Sequence, residues 1–254
     1  MIATLLAPLL TFLLAFYLIL IGPGLNLWRS LRPRAERPER TPMRRYWLMS
    51  RGVLVMLAVL AIAMAYNGHG LHDLGFDLPL SPAGAWGLLF AAVLMAGLVG
   101  AALVMEARQT PQARAESERK LLEAPFPWPN TTLETLAFAA SMSLMTAAWE
   151  ILYRGFLLLV LTPHTGLALA VVISALAYGI GHGYQNPKQF VGSIVSAFAF
   201  TLGYAFTHSL WWLIAIHVAV PLSMLPSVSK ARRRQREASH LSMATLTVPG
   251  TALD

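Results

Sequence analysis

The chain contains about seven apolar stretches, each long enough to cross a lipid bilayer as a helix. A spanning helix needs about 20 mostly apolar residues, and lipid offers backbone N–H and C=O groups no partner outside helices and closed barrels. Only 12% of the residues are charged, against about 25% in soluble domains. We therefore predict an all-α polytopic membrane protein. The stretches lie at roughly 3–27, 47–66, 84–105, 133–161, 167–185, 189–207 and 210–226.

The positively charged residues fall in alternate segments between these stretches. Eight Lys or Arg residues lie in 29–51, four in 108–120, one at Lys188 and five in 230–236; the last of the 19 is Arg154. Because cytoplasmic loops carry the excess of Lys and Arg, we predict an N-terminus outside and a C-terminus in the cytoplasm, with the protein in a prokaryotic cell (inner) membrane. The net charge of +7 then reflects topology, with the lipid bilayer and not nucleic acid as the partner.

Composition divides the chain into four segments. Residues 1–105 hold the N-terminal transmembrane helices and a basic, proline-containing linker at 33–42. Residues 106–132 form a cytoplasmic loop, in which we predict a short surface helix ended by prolines. Residues 133–226 form the transmembrane core, and 227–254 a basic cytoplasmic tail, predicted to be disordered. An Arg cluster in this tail could also bind anionic lipid.

Four ionisable side chains interrupt the apolar sequence of the core: Glu150, Arg154, His182 and His217. Charges within a membrane are costly, and they are usually paired or functional. Arg154 follows Glu150 by one helical turn, so the two can pair on one helix face and keep the carboxylate ionised. Glycines within 179–183 flank His182 and predict a close approach of helices. Taken singly, each residue also has a structural interpretation, as an ion pair or a hydrogen-bonded packing histidine.

Counting from the outer turns places two of these side chains at one depth. Glu150 lies 16 residues before Gly166 and His182 lies 16 after it, which puts both about 24 Å below the turn on adjacent antiparallel helices. His217, counted from a turn near Ser209, lies only about 12 Å deep. Either that outer turn is sunk into the protein or the predicted helix boundary is wrong.

The residue types limit the chemistry that the core could support. The chain has no cysteine, which excludes a disulfide framework, a thiol nucleophile and a thiolate metal site. We expect no cofactor. Glu150, His182 and His217 could in principle hold a divalent metal such as zinc, although the compact HExxH spacing is lacking.

The motifs resemble the CAAX protease and bacteriocin-processing family of intramembrane glutamic endopeptidases. That family carries EExxxRG, then FxxxH, then HxxxN or HxxxD. Residues 149–155 read WEILYRG and match the first motif except at its opening position. Residues 178–182 read YGIGH and match the second with Tyr for Phe, and the approach to His217 resembles the third. The resemblance covers about 110–225.

The resemblance implies hydrolysis of a peptide bond in a membrane-associated protein or peptide, with the motif helices forming an intramembrane cavity. It implies that Glu150 and His182 activate water, that Arg154 orients Glu150, and that His217 stabilises the oxyanion. Two positions depart from the pattern. The first glutamate of the family's pair is Trp149, and the Asn or Asp of the third motif is Pro221.

These departures keep two further interpretations open. A family member without peptidase activity could serve as a membrane scaffold or a bacteriocin-immunity protein, with the Glu150–Arg154 pair as a structural element. A small transporter or proton relay would use the same ionisable residues. We find no internal repeat of the kind many transporters have, which disfavours the transporter.

Overall fold

The computed structural model describes residues 2–32, 41–124 and 126–246, so most of the predicted linker at 33–42 lies outside the described residues. Two π-helical segments join consecutive helices: Tyr17–Ile21 joins α1 to α2, and Ile151–Phe156 joins α6 to α7. The α-helices are α1 (Ile2–Phe16), α2 (Gly22–Leu31), α3 (Pro42–Asn67), α4 (Pro82–Arg108), α5 (Pro111–Glu123), α6 (Thr132–Glu150), α7 (Leu157–Thr165), α8 (Leu167–Gly181), α9 (Pro187–Thr207), α10 (Trp211–Ser223) and α11 (Leu225–Leu246).

Six helical units among the described residues are long and apolar enough to cross a membrane. The longest is Thr132–Thr165, with 34 residues running through α6, the π-helical segment and α7. The apolar α8 is shorter, at 15 residues, and would be the seventh. The prediction of an all-α membrane protein with about seven transmembrane helices is confirmed. The six units are Ala7–Leu31, Pro42–Asn67, Pro82–Arg108, Thr132–Thr165, Pro187–Thr207 and Trp211–Glu237.

The predicted surface helix in the loop 106–132 is α5. Its N-cap is Thr110, whose hydroxyl accepts a hydrogen bond from the Ala113 amide at 3.2 Å. This satisfies one of the free N–H groups at the helix start. The helix ends at Glu123, ahead of Pro127 and Pro129 as predicted.

The tail prediction is wrong for residues 227–246, because α11 continues as a helix to Leu246. Contacts made by its first three turns explain this. Arg234 pairs with Glu118 of α5, and Arg232 donates to the carbonyls of Trp128 and Pro129. The cluster predicted to bind anionic lipid consists of three arginines at 232–234, and two of their guanidinium groups therefore bind other parts of the chain. Residues 247–254 lie outside the described part.

Gly179 allows close packing of α8 on α9, as the glycines around His182 predicted. A Cβ at Gly179 would lie 2.8 Å from the Ile194 Cα. We expect Gly179→Ala to lower the free energy of unfolding by about 1–3 kcal/mol, since two backbones must separate. Thermal unfolding in detergent would test this. The matched control is Gly192→Ala on α9, where a Cβ meets nothing within 4 Å; equal melting temperatures for the two variants would contradict the prediction.

The turn between α9 and α10 is sunk beneath the loop that joins α3 to α4. Leu210 is fully buried, and its amide donates to the Gly75 carbonyl at 3.0 Å. The Trp211 indole donates to the Asp77 carbonyl at 3.2 Å. The alternative of a sunken outer turn is thus the correct one. Because this turn is sunk, His217, two helical turns further along α10, lies deep in the bundle.

Candidate active site

The helix that carries Glu150 and Arg154 changes its geometry immediately after Glu150. Residues Ile151–Phe156 form a π-helical segment, a feature that is frequent at functional sites. The Ser174 hydroxyl of α8 donates to the Tyr153 carbonyl at 2.6 Å, which satisfies a main-chain acceptor in the widened turn. A Cβ at Gly155 would lie 3.2 Å from Leu74 of the α3–α4 loop, so glycine allows this loop to approach.

Glu150 and Arg154 form the predicted ion pair. Arg154 Nη1 donates to Glu150 Oε1 at 3.0 Å, and both side chains are 0% exposed. The widened turn preserves the i to i+4 contact that the sequence predicted. In such a setting each charge needs the other, because an unpaired buried charge is strongly destabilising.

His217 of α10 reaches the same carboxylate oxygen. Its Nδ1 lies 2.9 Å from Glu150 Oε1, and its side chain is 21% exposed. Nδ1 forms no hydrogen bond in spite of this short distance, so the imidazole ring is not oriented for one. The Phe200 ring packs edge to face with the imidazole, at 5.0 Å between centroids. His217 therefore faces Glu150 from a helix that lies far along the sequence.

His182 lies beside this group but does not touch Glu150. It is the C-cap of α8 and is exposed. Its Nδ1 lies 3.0 Å from the Tyr178 carbonyl. A carbonyl can only accept, so Nδ1 carries the proton, and Nε2 of the neutral ring has the free lone pair. Among the described residues no hydrogen bond or ion pair joins His182 to Glu150.

Tyr178 links the two halves of the site, a role that the motif match alone did not predict. The Arg154 Cζ lies 3.7 Å from the centre of its ring. The same ring lies 4.6 Å from that of His182 and 6.4 Å from that of His217, both edge to face. A signal was present in the sequence, because Tyr178 precedes His182 by four residues and therefore shares its helix face.

The two positions that depart from the family pattern are occupied by apolar groups. Trp149 is partly buried, and its ring lies 5.7 Å from that of Tyr153. The Tyr153 hydroxyl in turn donates to the Leu18 carbonyl, at 3.0 Å, in the π-helical segment of the first span. Pro221 lies inside α10, one turn after His217. An indole and a pyrrolidine thus stand where the family carries a carboxylate and a polar side chain.

Several buried polar atoms at the site have no hydrogen-bond partner in the part of the chain that the structure describes. They are Glu150 Oε2, Nε and Nη2 of Arg154, and Nδ1 of His217. Oε2 is therefore a buried acceptor whose hydrogen-bonding capacity is unused within the described residues. No group of three or more His, Asp or Glu residues with metal-binding geometry occurs among the described residues. The residues that could in principle hold a divalent metal are Glu150, His182 and His217. The Glu150 carboxylate already pairs with Arg154, and this positive charge disfavours a metal cation at the same place.

A groove of about 420 Å³ lies elsewhere in the bundle, between α1, α3 and α7. It includes Phe156 of the π-helical segment but none of the four predicted site residues. The intramembrane cavity expected among the motif helices stays a prediction.

Comparison with known proteins identifies one segment of the chain. Residues 131–222 match the family model described as type II CAAX prenyl endopeptidase Rce1-like. The segment runs from the start of α6 to the end of α10 and contains all four predicted site residues. No curated protein and no solved structure matches the chain. The recognition of the CAAX protease type from the sequence motifs is confirmed over this segment.

Proposed function

Because residues 131–222 match the Rce1-like family model, we propose that this chain is an intramembrane peptidase. It would hydrolyse a peptide bond in a membrane-associated protein or peptide. One observation carries the proposal: a fully buried carboxylate, Glu150, meets Arg154 and His217 within 3.0 Å. Burying ionisable groups inside an apolar bundle costs free energy, so such groups are usually functional. Proton transfer is one function that they can serve.

In the proposed reaction Glu150 is the general base. Oε1 is engaged by Arg154, so Oε2 is free to accept a proton from water. The water oxygen then bonds to the scissile carbonyl carbon, whose oxygen becomes an oxyanion. Return of the proton to the amide nitrogen breaks the C–N bond and yields a carboxylic acid and an amine.

The two histidines take distinct places in this scheme. His217, beside Oε1 and 21% exposed, would donate to the oxyanion in its N–H form. His182 offers the Nε2 lone pair at the exposed edge of the site, where it would share the proton of the attacking water. No metal is required by this arrangement, and no cofactor is proposed.

The substrate would enter from the end of the bundle that carries the basic segments. At this end the Asn26 amide donates to the Gly181 carbonyl at 3.1 Å. The Ser30 hydroxyl accepts from the Tyr184 amide at 2.7 Å. These contacts hold the exposed His182 next to the basic segment that begins at Arg29. By the positive-inside rule this is the cytoplasmic end, so we propose cytoplasmic entry, with the N-terminus outside and the C-terminus in the cytoplasm.

A second candidate is a catalytically inactive membrane scaffold or immunity protein. The observation in its favour is that Glu150 and Arg154 are both fully buried, as in a structural ion pair. Trp149 packed on Tyr153 and Pro221 inside α10 also remove two polar groups of the family pattern. Removal of one oxyanion donor costs roughly 10²–10³ in rate, so this candidate predicts no measurable cleavage.

Mass spectrometry of new protein termini tests the proposal. Cells that contain the wild-type protein, His182→Ala or no protein are compared. We expect at least one membrane-protein terminus that appears with the wild type alone, and about 10²-fold less of it with His182→Ala, since a proton-transfer group contributes 10²–10⁴.

His164→Ala serves as the matched control, because His164 is an exposed histidine in the outer turn. It should process substrate as the wild type does. Identical termini in all samples, with each protein present in the membrane, would reject the peptidase in favour of the scaffold.

A further inference from the structure

We propose that Tyr178 is a positioning residue of this site: its ring holds Arg154 against Glu150 and fixes the orientation of His182. The inference rests on the proposed function for its catalytic consequence. The geometry on which it stands does not depend on that function. Tyr178 lies on α8, and it contacts side chains from the π-helical segment, from α8 itself and from α10.

The first contact is a buried cation–π interaction. The Arg154 Cζ lies 3.7 Å from the centre of the Tyr178 ring, well within the roughly 6 Å over which such interactions are significant. Arg154 is 0% exposed, and its Nε and Nη2 have no hydrogen-bond partner among the described residues. The electron-rich ring face therefore offers the buried guanidinium a stabilising surface beside its ion pair with Glu150.

This contact sets the direction in which Arg154 points. The planar guanidinium has one face on the ring, and its remaining donor, Nη1, is directed to Glu150 Oε1 at 3.0 Å. A branched aliphatic side chain in place of Tyr178 would fill space but offer no negative face. The guanidinium would then turn toward other acceptors, and Oε1 would lose its partner.

The second contact restrains His182. The Tyr178 ring lies 4.6 Å from the imidazole at an interplanar angle of 69°. The Tyr178 carbonyl accepts from His182 Nδ1 at 3.0 Å. The ring keeps the imidazole from rotating, and only in this orientation does Nδ1 reach the carbonyl that selects the tautomer. Without the ring the imidazole can turn away from the carbonyl, and either tautomer can form.

The test compares Tyr178→Phe with Tyr178→Leu. Phenylalanine keeps the ring face and the edge contact, whereas leucine removes both. Tyr204→Leu is the matched control: Tyr204 also precedes a C-cap histidine by four residues, and its ring lies 5.6 Å from that of His208, at a site apart from Glu150. All proteins carry ¹⁵N-labelled histidine in nanodiscs, and the His182 signals are assigned by their loss in His182→Ala.

We expect the wild type and Tyr178→Phe to show one His182 tautomer with the proton on Nδ1. Tyr178→Leu should show a mixture of two tautomers, and cleavage lowered about 10²-fold in kcat with KM little changed, as is typical of misplacement by about 1 Å. Tyr204→Leu should lower the melting temperature without either effect. If Tyr178→Leu does not fold, Tyr178→Met supplies a flexible side chain without a ring.

The outcomes separate the inference from the proposed function. An unchanged His182 spectrum in the folded Leu or Met variant overturns the positioning role, whatever the activity. A changed spectrum in a protein whose wild type cleaves nothing upholds the positioning role and rejects the peptidase. Loss of cleavage in Tyr178→Phe as large as in Tyr178→Leu would move the role from the ring to the hydroxyl and overturn the inference.

Discussion

Replacing Arg154 by methionine is expected to lower the free energy of unfolding by about 3–5 kcal/mol, which is the cost of leaving one partner of a buried ion pair uncompensated. Glu150 is 0% exposed, and Arg154 is its hydrogen-bonded partner at 3.0 Å. Methionine fills much of the space above the Tyr178 ring but leaves the carboxylate without a charge partner. A domain is typically stable by about 5–15 kcal/mol, so much of the protein would be lost from the membrane.

The double variant Glu150→Gln/Arg154→Met separates charge from packing. It removes both charges, so it should recover most of the stability lost in the single variant. Thermal unfolding in detergent measures all of these proteins. Arg119→Met is the control: Arg119 forms an ion pair with Glu116 at 2.8 Å on the exposed face of α5, and its loss should leave the melting temperature unchanged. A double variant no more stable than Arg154→Met would show that the pair is not held by charge compensation.

Local patterns in the sequence predicted the features that depend on neighbouring residues. Apolar stretches predicted the spans because, in lipid, a helix is the structure in which one segment satisfies all of its own backbone hydrogen bonds. The four-residue spacing predicted the contact between Glu150 and Arg154, and prolines predicted the end of α5. Glycine at 179 predicted a close helix approach, which the Ile194 backbone confirms.

Features that depend on distant segments could not be predicted in the same way. The contact of His217 with Glu150 requires the turn near Ser209 to be sunk, and that depends on Gly75 and Asp77, more than 130 residues earlier. The π-helical segment depends on a hydroxyl from α8 that satisfies the Tyr153 carbonyl. Neither the loop carbonyls nor the hydroxyl of α8 could be recognised from periodicity, because long-range hydrogen bonds leave no pattern in the local sequence.

The tail was mispredicted for a related reason. Its Ser, Thr and Arg composition is typical of disordered termini, yet α11 extends to Leu246. Arg234 has Glu118 as its partner on α5, and Arg232 fills main-chain acceptors of the loop before α6. The tail was predicted to be disordered, whereas two of its arginines join α11 to α5 and to the loop before α6.

Glu150→Gln is expected to abolish detectable processing by the molecules that remain folded in the membrane. Glutamine retains an oxygen that can accept from Arg154 Nη1, but it cannot take a proton from water at neutral pH. The loss of a general base lowers the rate by about 10²–10⁴. Production of the new terminus that marks wild-type activity, per folded molecule in purified membranes, is the measurement.

Stability and chemistry must be separated, because Glu150→Gln also leaves Arg154 buried without a counter-charge. The Glu150→Gln/Arg154→Met protein is the second test, since it should be more stable than either single variant and yet inactive. A scaffold needs the shape of residue 150 and not its charge, so under that alternative the stable double variant keeps its function. Cleavage at the wild-type rate by either variant would contradict Glu150 as the base, and with Trp149 in place of the other carboxylate it would require a different proton acceptor at this site.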